Sequence, residues 1–430
     1  MINSSKLSKL QNIIQYIKPI NIFTTEDKTN ITEMIADLIT IYIKEDTLSF
    51  QYEDFDETLF KNIYNQSFLQ INHLYNEDIS DELTILINKT IHKYFTYILP
   101  KRCIISDKIK HLSNKNKIKS KLHYLSNVPQ PEQRTTEWYL FRHKYLTASS
   151  IWKAFSSQGN INHLIYNKCI PIDISKYTTV NIDSPLHWGQ KYEDLSILWY
   201  EYTYKTKVDD FGCIKHKDID FIAASPDGIN IMEDSDRYGR MLEVKNIVNR
   251  KITQIPKFEY WIQMQVQMEV CDLNECDFLE TRFIEYDNYH DFNNDGSFQL
   301  TKSLKPKGIF VMFLDNESKP VYKYPPWNLS LSEFNSWNDK ILNEYKDYTW
   351  FKNIYWYLDE VSVVLVIRNK LWFTAAKDVL TNLWKTICHE KKNGYEHRQP
   401  KKRTSNKVLS SSNKCLLNSS NNLTFNIDTN

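Results

Sequence analysis

Residues 221–245, FIAASPDGINIMEDSDRYGRMLEVK, decide the fold of the middle of the chain. The apolar run Phe221–Ala224 predicts a short buried strand, and Met241–Val244, which Lys245 follows, predicts a second one. Side chains alternate between the two faces of a strand, so Glu243 and Lys245 should lie on one face. The apolar residues that alternate with them should face the core. The pattern is typical of a half-buried strand that displays a polar site.

Further acids flank these strands. Asp227 lies in the turn sequence SPDG that follows the first strand, and Glu193 lies on a helix predicted for Trp188–Tyr204. Carboxylates beside a strand turn suit a hard divalent cation such as Mg²⁺, which prefers oxygen ligands. A lysine at such a site can orient or deprotonate a water and offset charge on phosphorus, so the set predicts phosphodiester hydrolysis. Each motif alone is weak, because Glu-x-Lys recurs by chance and SPDG is an ordinary turn.

The surrounding segment alternates between helix and strand signals. Besides Trp188–Tyr204, the periodicity predicts helices over Glu137–Ile151, Phe258–Val270, Leu331–Lys352 and Trp372–Ile387. It predicts further strands over Val208–Ile214, Asp277–Ile284 and Gly308–Leu314, with a possible one over Val361–Ile367. The fold class expected is therefore α/β.

Four regions follow from these patterns. Residues 1–128 predict a helical N-terminal domain, basic toward its end, and 129–328 hold the mixed α/β domain. Residues 329–390 predict a mostly helical C-terminal extension, and 391–430 a disordered tail rich in basic residues, Ser and Asn. The run 101–121 carries eight Lys or Arg against one acid, and it is interpreted either as a solvated linker or as a contact to the DNA backbone.

The composition narrows the function classes. Lys plus Arg is 54 and Asp plus Glu is 53, which excludes a globally basic nucleic-acid wrapper and makes any such site a local patch. The seven scattered cysteines argue against a disulfide scaffold. The longest apolar run is far shorter than the ~20 residues that span a bilayer, and no secretory signal is visible. We therefore expect a soluble intracellular protein that is not secreted.

Taken together, the blocks resemble a known family. They are, in order, Trp138–Arg142 with Leu146–Ser149, Trp188-Gly189 with Glu193, Ala224–Gly228, Glu243–Lys245, and Tyr260–Gln265. Their combination over residues 134–285 resembles the lambda-type exonuclease (YqaJ-like viral recombinase) family of the PD-(D/E)xK nuclease superfamily. The resemblance implies a restriction-endonuclease-like core, in which helices flank a central mixed sheet.

The resemblance also implies roles for individual residues. Asp227 and Glu243 would be the central metal ligands with the backbone carbonyl of Val244, and Glu193 would complete the acidic site. Lys245 would serve the nucleophilic water. Gln263 would lie near that water or near the scissile phosphate.

Three further positions match residues that hold the terminal 5′-phosphate in the exonuclease members: Arg142, Ser149 and Ser225. A guanidinium suits that task because its donors pair bidentately with phosphate oxygens. Gln265, about 200° around the helix from Gln263, is expected on an exposed polar face.

The expected function is a Mg²⁺-dependent DNA nuclease, with Mn²⁺ able to substitute. It would be a 5′→3′ exonuclease on duplex DNA ends in viral-type recombination or repair, as a viral protein in the host cytoplasm or nucleus. Double-stranded DNA is the expected partner, a single-strand annealing protein is a further one, and the oligomeric state is open. The alternatives are a structure-specific endonuclease of the same superfamily and a non-hydrolytic DNA-binding module.

Overall fold

The computed structural model describes residues 22–105, 115–133, 135–173 and 184–400. The first of these ranges forms a helical unit: α1 (Thr25–Glu45), α2 (Phe55–Ile71) and α3 (Ser80–Tyr97). In α1, Ile31, Ile35 and Ile39 recur at helical spacing and are buried. The helical character predicted for the N-terminal part of the chain is confirmed over this range.

The middle of the chain alternates between helices and strands. The helices are α4 (Lys115–Ser126), α5 (Thr136–His143), α6 (Ala148–Ile151), α7 (Gln158–Cys169), α8 (Pro185–Tyr204), α9 (Phe258–Cys271) and α10 (Tyr289–Asn294). The strands are β1 (Ile104–Ile105), β2 (Leu146–Thr147), β3 (Val208–Asp209), β4 (Ile214–Lys215), β5 (Ile222–Ala224), β6 (Gly228–Asn230), β7 (Met241–Asn246), β8 (Glu275–Glu285), β9 (Lys307–Leu314) and β10 (Pro320–Lys323). Then follow α11 (Leu331–Glu344), β11 (Thr349–Ile367) and α12 (Lys370–Asn393).

The described strands form one large sheet and one small one. The large sheet has the order β10-β9-β11-β8-β7-β6-β3, with β1 paired to β11. Within it β7 and β8 are parallel and the other pairs are antiparallel. The small sheet has the order β2-β5-β4. The predicted α/β core, in which helices flank a central mixed sheet, is confirmed.

The C-terminal extension contributes to this sheet. Strand β11 lies between β8 and β9 at its centre, so the sheet continues past residue 328. The sequence indicated only the last third of that strand, and the helix predicted over Leu331–Lys352 is wrong beyond Glu344. Thr349, Trp350 and Phe351 are β-branched or aromatic residues, which favour strands. Thr349 and Trp350 pair with Leu314 and Phe313 of β9, and Phe351 lies at a shift in the register. The domain boundaries themselves stay predictions.

The helix predicted over Glu137–Ile151 is interrupted. It ends at His143, and Leu146 begins a strand whose N–H donates to the carbonyl of Phe221 at 2.7 Å. The pairing of β2 with β5 therefore replaces a helical turn and places α5 and α6 on either side of the small sheet's edge.

Arg102 joins the N-terminal helices to the rest of the chain. Its guanidinium is 3% exposed and donates to the carbonyls of Phe50 at 3.1 Å, Gln51 at 3.0 Å and Pro256 at 2.6 Å. Its own carbonyl accepts from the indole of Trp261 at 3.0 Å. Neither interpretation of the basic run therefore fits Arg102, while residues 106–114 of that run lie outside the described residues.

Of the tail predicted to be disordered, residues 401–430 lie outside the described residues. Its first residues, Lys391–Asn393, end helix α12, and Arg398 pairs with Glu390 at 2.6 Å. No helix in the described ranges has both the length and the apolar composition needed to cross a bilayer.

Candidate active site

Strand β7 presents two charged side chains on one face. Glu243 and Lys245 form an ion pair, and Leu242 and Val244, which alternate with them, pack on the opposite face against Tyr200 of α8. The alternation predicted for this strand is therefore confirmed. The face with the ion pair meets helix α9.

The Glu243 carboxylate lies at the centre of a hydrogen-bond network. The side chain is 0% exposed. Its Oε1 accepts from Lys245 Nζ and from Gln263 Nε2, the latter at 2.7 Å, and its Oε2 accepts from Gln267 Nε2 at 2.7 Å. Donors from a strand and from a helix thus fix one orientation of this carboxylate, which compensates for its removal from water.

Asp227 lies next to this network, in the turn between β5 and β6. Its Oδ2 accepts from the backbone N–H of Val244 at 2.7 Å. Burial raises the pKa of Asp227 well above its ordinary value, and the nearby carboxylates of Glu243 and Glu193 raise it further. The ammonium of Lys245 and the Val244 N–H oppose the rise without cancelling it. The site therefore concentrates negative charge that a cation would stabilise.

Lys245 stays protonated in this setting. Burial alone lowers its pKa, but the carboxylates of Glu243 and Asp227 raise it, and the net shift is upward. An ammonium of this kind can attract a phosphate oxygen or orient a water, but it does not accept a proton at neutral pH. Of the two roles the sequence left open for Lys245, orientation fits the geometry.

Glu193 reaches the same region from α8. It lines a cleft of about 520 Å³ together with Asp227, and Gln190 and Asp194 of the same helix line it too. The structure therefore brings Glu193, Asp227, Glu243 and Lys245 together, although they come from four separate segments.

The donor set fits a hard cation by its chemistry. Carboxylate oxygens are the ligands that Mg²⁺ prefers. Burial raises the pKa of Asp227, and the neighbouring carboxylates of Glu243 and Glu193 raise it further, so a cation at this place would relieve both effects. Across the described ranges, however, no three His, Cys, Asp or Glu side chains are already gathered closely enough to form a metal cage. Lys245 is the cation that pairs with Glu243 in this arrangement.

Two of the three residues matched to the 5′-phosphate position, Arg142 and Ser149, form a second cluster. Arg142, near the end of α5, stacks with its guanidinium 4.4 Å from the ring centroid of Trp138. Its Nη2 donates to the exposed Ser149 Oγ at 3.2 Å. Ser225 lies closer to the acids, because its carbonyl accepts from Gln267 Nε2 at 3.1 Å.

Two glutamines of helix α9 differ from what the sequence predicted: Gln265 is buried, and Gln267, for which no role was predicted, bonds to Glu243. Gln265 is not on an exposed face: it is buried, donates to the Ile367 carbonyl at 3.0 Å and accepts from the Asn369 N–H at 2.6 Å. The expectation was wrong because β11 and the start of α12 cover the face of α9 that points away from the acids. Gln267 was missed, although its position four residues after Gln263 places both on one helical face.

One segment of the chain matches a known domain family. Residues 137–274 match the YqaJ-like viral recombinase domain. The resemblance predicted from the five sequence blocks is thereby confirmed, and the matched segment contains Glu193, Asp227, Glu243 and Lys245 as well as Arg142 and Ser149.

The chain is also similar to an uncharacterized protein of Acanthamoeba polyphaga mimivirus. The two are 28% identical over 305 residues, which is 62% of this chain and 54% of the mimivirus protein. The chain thus spans about half the length of this relative.

Among solved structures, the chain is similar to the alkaline exonuclease of Laribacter hongkongensis, alone and in complex with dAMP. The sequence identity is 15% in both cases, with 61% of this chain and 97% of the exonuclease covered. The TM-scores are 0.35 and 0.36.

Proposed function

We propose that this chain is a metal-dependent DNA nuclease, and specifically a 5′→3′ exonuclease that acts on duplex DNA ends. The observation that carries the proposal is the junction of Asp227, Glu243 and Lys245 in the recombinase domain: one carboxylate held by the backbone of β7 and the other paired with the lysine two residues on. This arrangement can attract both a cation and a phosphate.

Mg²⁺ is the proposed cofactor, with Mn²⁺ able to substitute. Glu193, Asp227 and Glu243 would hold it together with the carbonyl of Val244. When bound, such an ion neutralises charge that develops on the phosphoryl group and lowers the pKa of a coordinated water.

The protein's own side chains supply orientation and charge. Lys245 remains an ammonium, so it attracts the anionic phosphate and aligns the attacking water. Gln263 and Gln267 hold the Glu243 carboxylate in place through their amide donors. The bond that breaks joins phosphorus to the 3′ oxygen, so each released nucleotide carries a 5′-phosphate.

Recognition of a DNA end is assigned to Arg142, Ser149 and Ser225. The Arg142 donors meet only a neutral serine hydroxyl among the described residues, which leaves the guanidinium available for a phosphate. The proposed setting is viral-type recombination or repair, with double-stranded DNA as substrate and a single-strand annealing protein as a further partner.

The test is Mg²⁺-dependent digestion of an end-labelled linear duplex and of a covalently closed circle. We expect wild type to degrade the linear duplex and leave the circle intact. Asp227→Asn should digest the linear duplex roughly 10²–10⁴-fold more slowly, the usual scale for one positioned catalytic group. The matched control Asp234→Asn changes an exposed acid in the loop that follows β6, and it should keep full activity.

Other outcomes point to the alternatives. Cleavage of the circle, or preference for branched DNA, would favour a structure-specific endonuclease. Tight DNA binding without cleavage in Mg²⁺ or Mn²⁺ would favour a binding module. Equal activity in wild type and Asp227→Asn would refute the assignment of the site.

A further inference from the structure

A buried lysine lies behind the Arg142 cluster. Lys168, near the end of α7, is 8% exposed, and its Nζ donates to the backbone carbonyl of Arg142 at 3.0 Å. An ammonium has three donors. Within the described ranges that carbonyl is its one hydrogen-bond acceptor, and no carboxylate pairs with it. Two donors of a nearly buried cation are therefore unmet.

The charged groups around Lys168 are themselves basic. Helix α7 is held against α12 by a hydrogen bond from Cys169 Sγ to the Ile387 carbonyl at 3.7 Å. Lys391 follows Ile387 by four residues, so it lies on the face of α12 that meets α7. Burial lowers the pKa of Lys168 to about 8, and Arg142 and Lys391 lower it in addition.

His143, which lies next to Lys168, is surrounded by the same basic residues. His143 Nε2 lies 3.2 Å from the Asn167 carbonyl, on the helix that carries Lys168. Burial lowers the pKa of His143, and Lys168 and Lys391 lower it further. Lys168 and His143 therefore lie among several cations, and the Glu390 carboxylate, which lies near Cys169, already pairs with Arg398.

A structural role explains only part of this arrangement. Lys168 caps the last turn of α5 through the Arg142 carbonyl, and cations at a helix C-terminus are stabilising. A lysine that serves only as a cap can keep its ammonium in water, because its side chain is long and flexible. Burying an ammonium among like charges is unfavourable unless an anion binds there.

We propose that Lys168 and Lys391, together with Arg142, form an anion site that takes the terminal 5′-phosphate of the substrate DNA. Lys168 holds the Arg142 backbone and adds an ammonium close enough to the Arg142 guanidinium to feel its charge. Lys391 brings in a residue from the C-terminal helix, outside the matched recombinase domain. The inference rests on the proposed function and extends its phosphate pocket by two residues.

The test measures binding without catalysis. A short duplex labelled at one 3′ end, with either a 5′-phosphate or a 5′-hydroxyl, is titrated with the full chain in EDTA near pH 7, and fluorescence anisotropy gives both Kd values. One charge-assisted contact corresponds to roughly tenfold in affinity, so wild type should prefer the phosphate by about that factor. Lys168→Met should reduce the preference to less than about threefold, and Lys391→Gln should reduce it in part.

The control is Lys385→Met, which changes an exposed lysine on another face of α12 and should keep the wild-type preference. Lys168→Arg retains a cation and should retain most of the preference, which covers the case in which Lys168→Met does not fold. A wild-type chain without preference, or a folded Lys168→Met with the wild-type preference, would overturn the proposal.

Failure of this site and failure of the nuclease proposal are distinguishable. If wild type digests DNA in Mg²⁺ and Lys168→Met keeps the wild-type preference for a 5′-phosphate, only the proposed anion site is wrong. If the preference depends on Lys168 but no substrate is hydrolysed, the anion site stands and the nuclease proposal fails.

Discussion

The side-chain amide of Gln267 donates to Oε2 of Glu243 at 2.7 Å, so a residue with no role assigned from sequence holds the most buried acid of the site. The same nitrogen donates to the Ser225 carbonyl at 3.1 Å. Helix α9 is thus tied through one amide to β7 and to the turn that precedes Asp227. The geometry of the two carboxylates depends on this helix.

Replacing Gln267 by leucine should therefore lower the nuclease activity. The variant leaves Glu243 Oε2 without its donor, and loss of a group that orients a metal ligand costs roughly 10–100-fold in metal affinity or activity. Steady-state digestion at several Mg²⁺ concentrations measures both quantities. Gln66→Leu, an exposed position on α2, is the control. An unchanged Mg²⁺ requirement and rate in Gln267→Leu would show that the hydrogen bond plays no part.

Asp227→Asn should stabilise the metal-free protein. The pKa of Asp227 is raised in the fold, so the folded state holds this proton more tightly than the unfolded chain does. The ionised carboxyl therefore opposes folding above its unfolded pKa, and asparagine removes that cost. Thermal unfolding in EDTA near pH 7 should give a higher Tm for Asp227→Asn than for wild type. A lower Tm would contradict the electrostatic account of the site.

Magnesium binding should release protons for the same reason. A carboxyl with a raised pKa must lose its proton before it can hold a cation, so the Mg²⁺ affinity should rise with pH. Titration calorimetry in buffers of different ionisation enthalpy counts the protons released. Asp227→Asn should release fewer, and equal release by both proteins would exclude Asp227 as their source.

Arg102→Met should destabilise the whole chain. The substitution leaves the carbonyls of Phe50, Gln51 and Pro256 without their shared donor, and loss of such a buried network costs about 2–4 kcal/mol. Denaturant unfolding measures the change. Lys115→Met, an exposed lysine of the same basic run, should remain within about 0.5 kcal/mol of wild type. Equal stability of the two variants would rule out the joining role of Arg102.

The preference for a 5′-phosphate should decline with rising pH. Lys168 has a pKa of about 8 and faces Arg142, His143 and Lys391, and also Cys213, whose thiolate form would raise that pKa. The lysine loses its charge as the pH rises through this value, while the terminal phosphate stays a dianion. Anisotropy titrations from pH 7 to 9, about one unit either side of this pKa, should show the decline in wild type. Lys168→Met should give a flat profile, and a flat wild-type profile would contradict the role of Lys168.

Local alternation was enough to predict how β7 displays Glu243 and Lys245, because period two is a property of the strand itself. The burial of Gln265 and the guanidinium contacts of Arg102 could not be predicted, since both depend on distant backbone carbonyls that the fold brings close. Trp350 was assigned to a helix because periodicity ignores pairing partners, and its strand exists through β9. Local patterns therefore located the acids, and tertiary contacts decided what holds them.

Product analysis on a 5′-phosphorylated linear duplex tests the central claim most directly. The account predicts that Mg²⁺-dependent digestion releases nucleotides with 5′-phosphates, beginning at the 5′ end, and that Lys245→Met abolishes the release while Lys346→Met, at an exposed position, does not. Undiminished digestion by Lys245→Met, or no release of nucleotides by wild type, would contradict it.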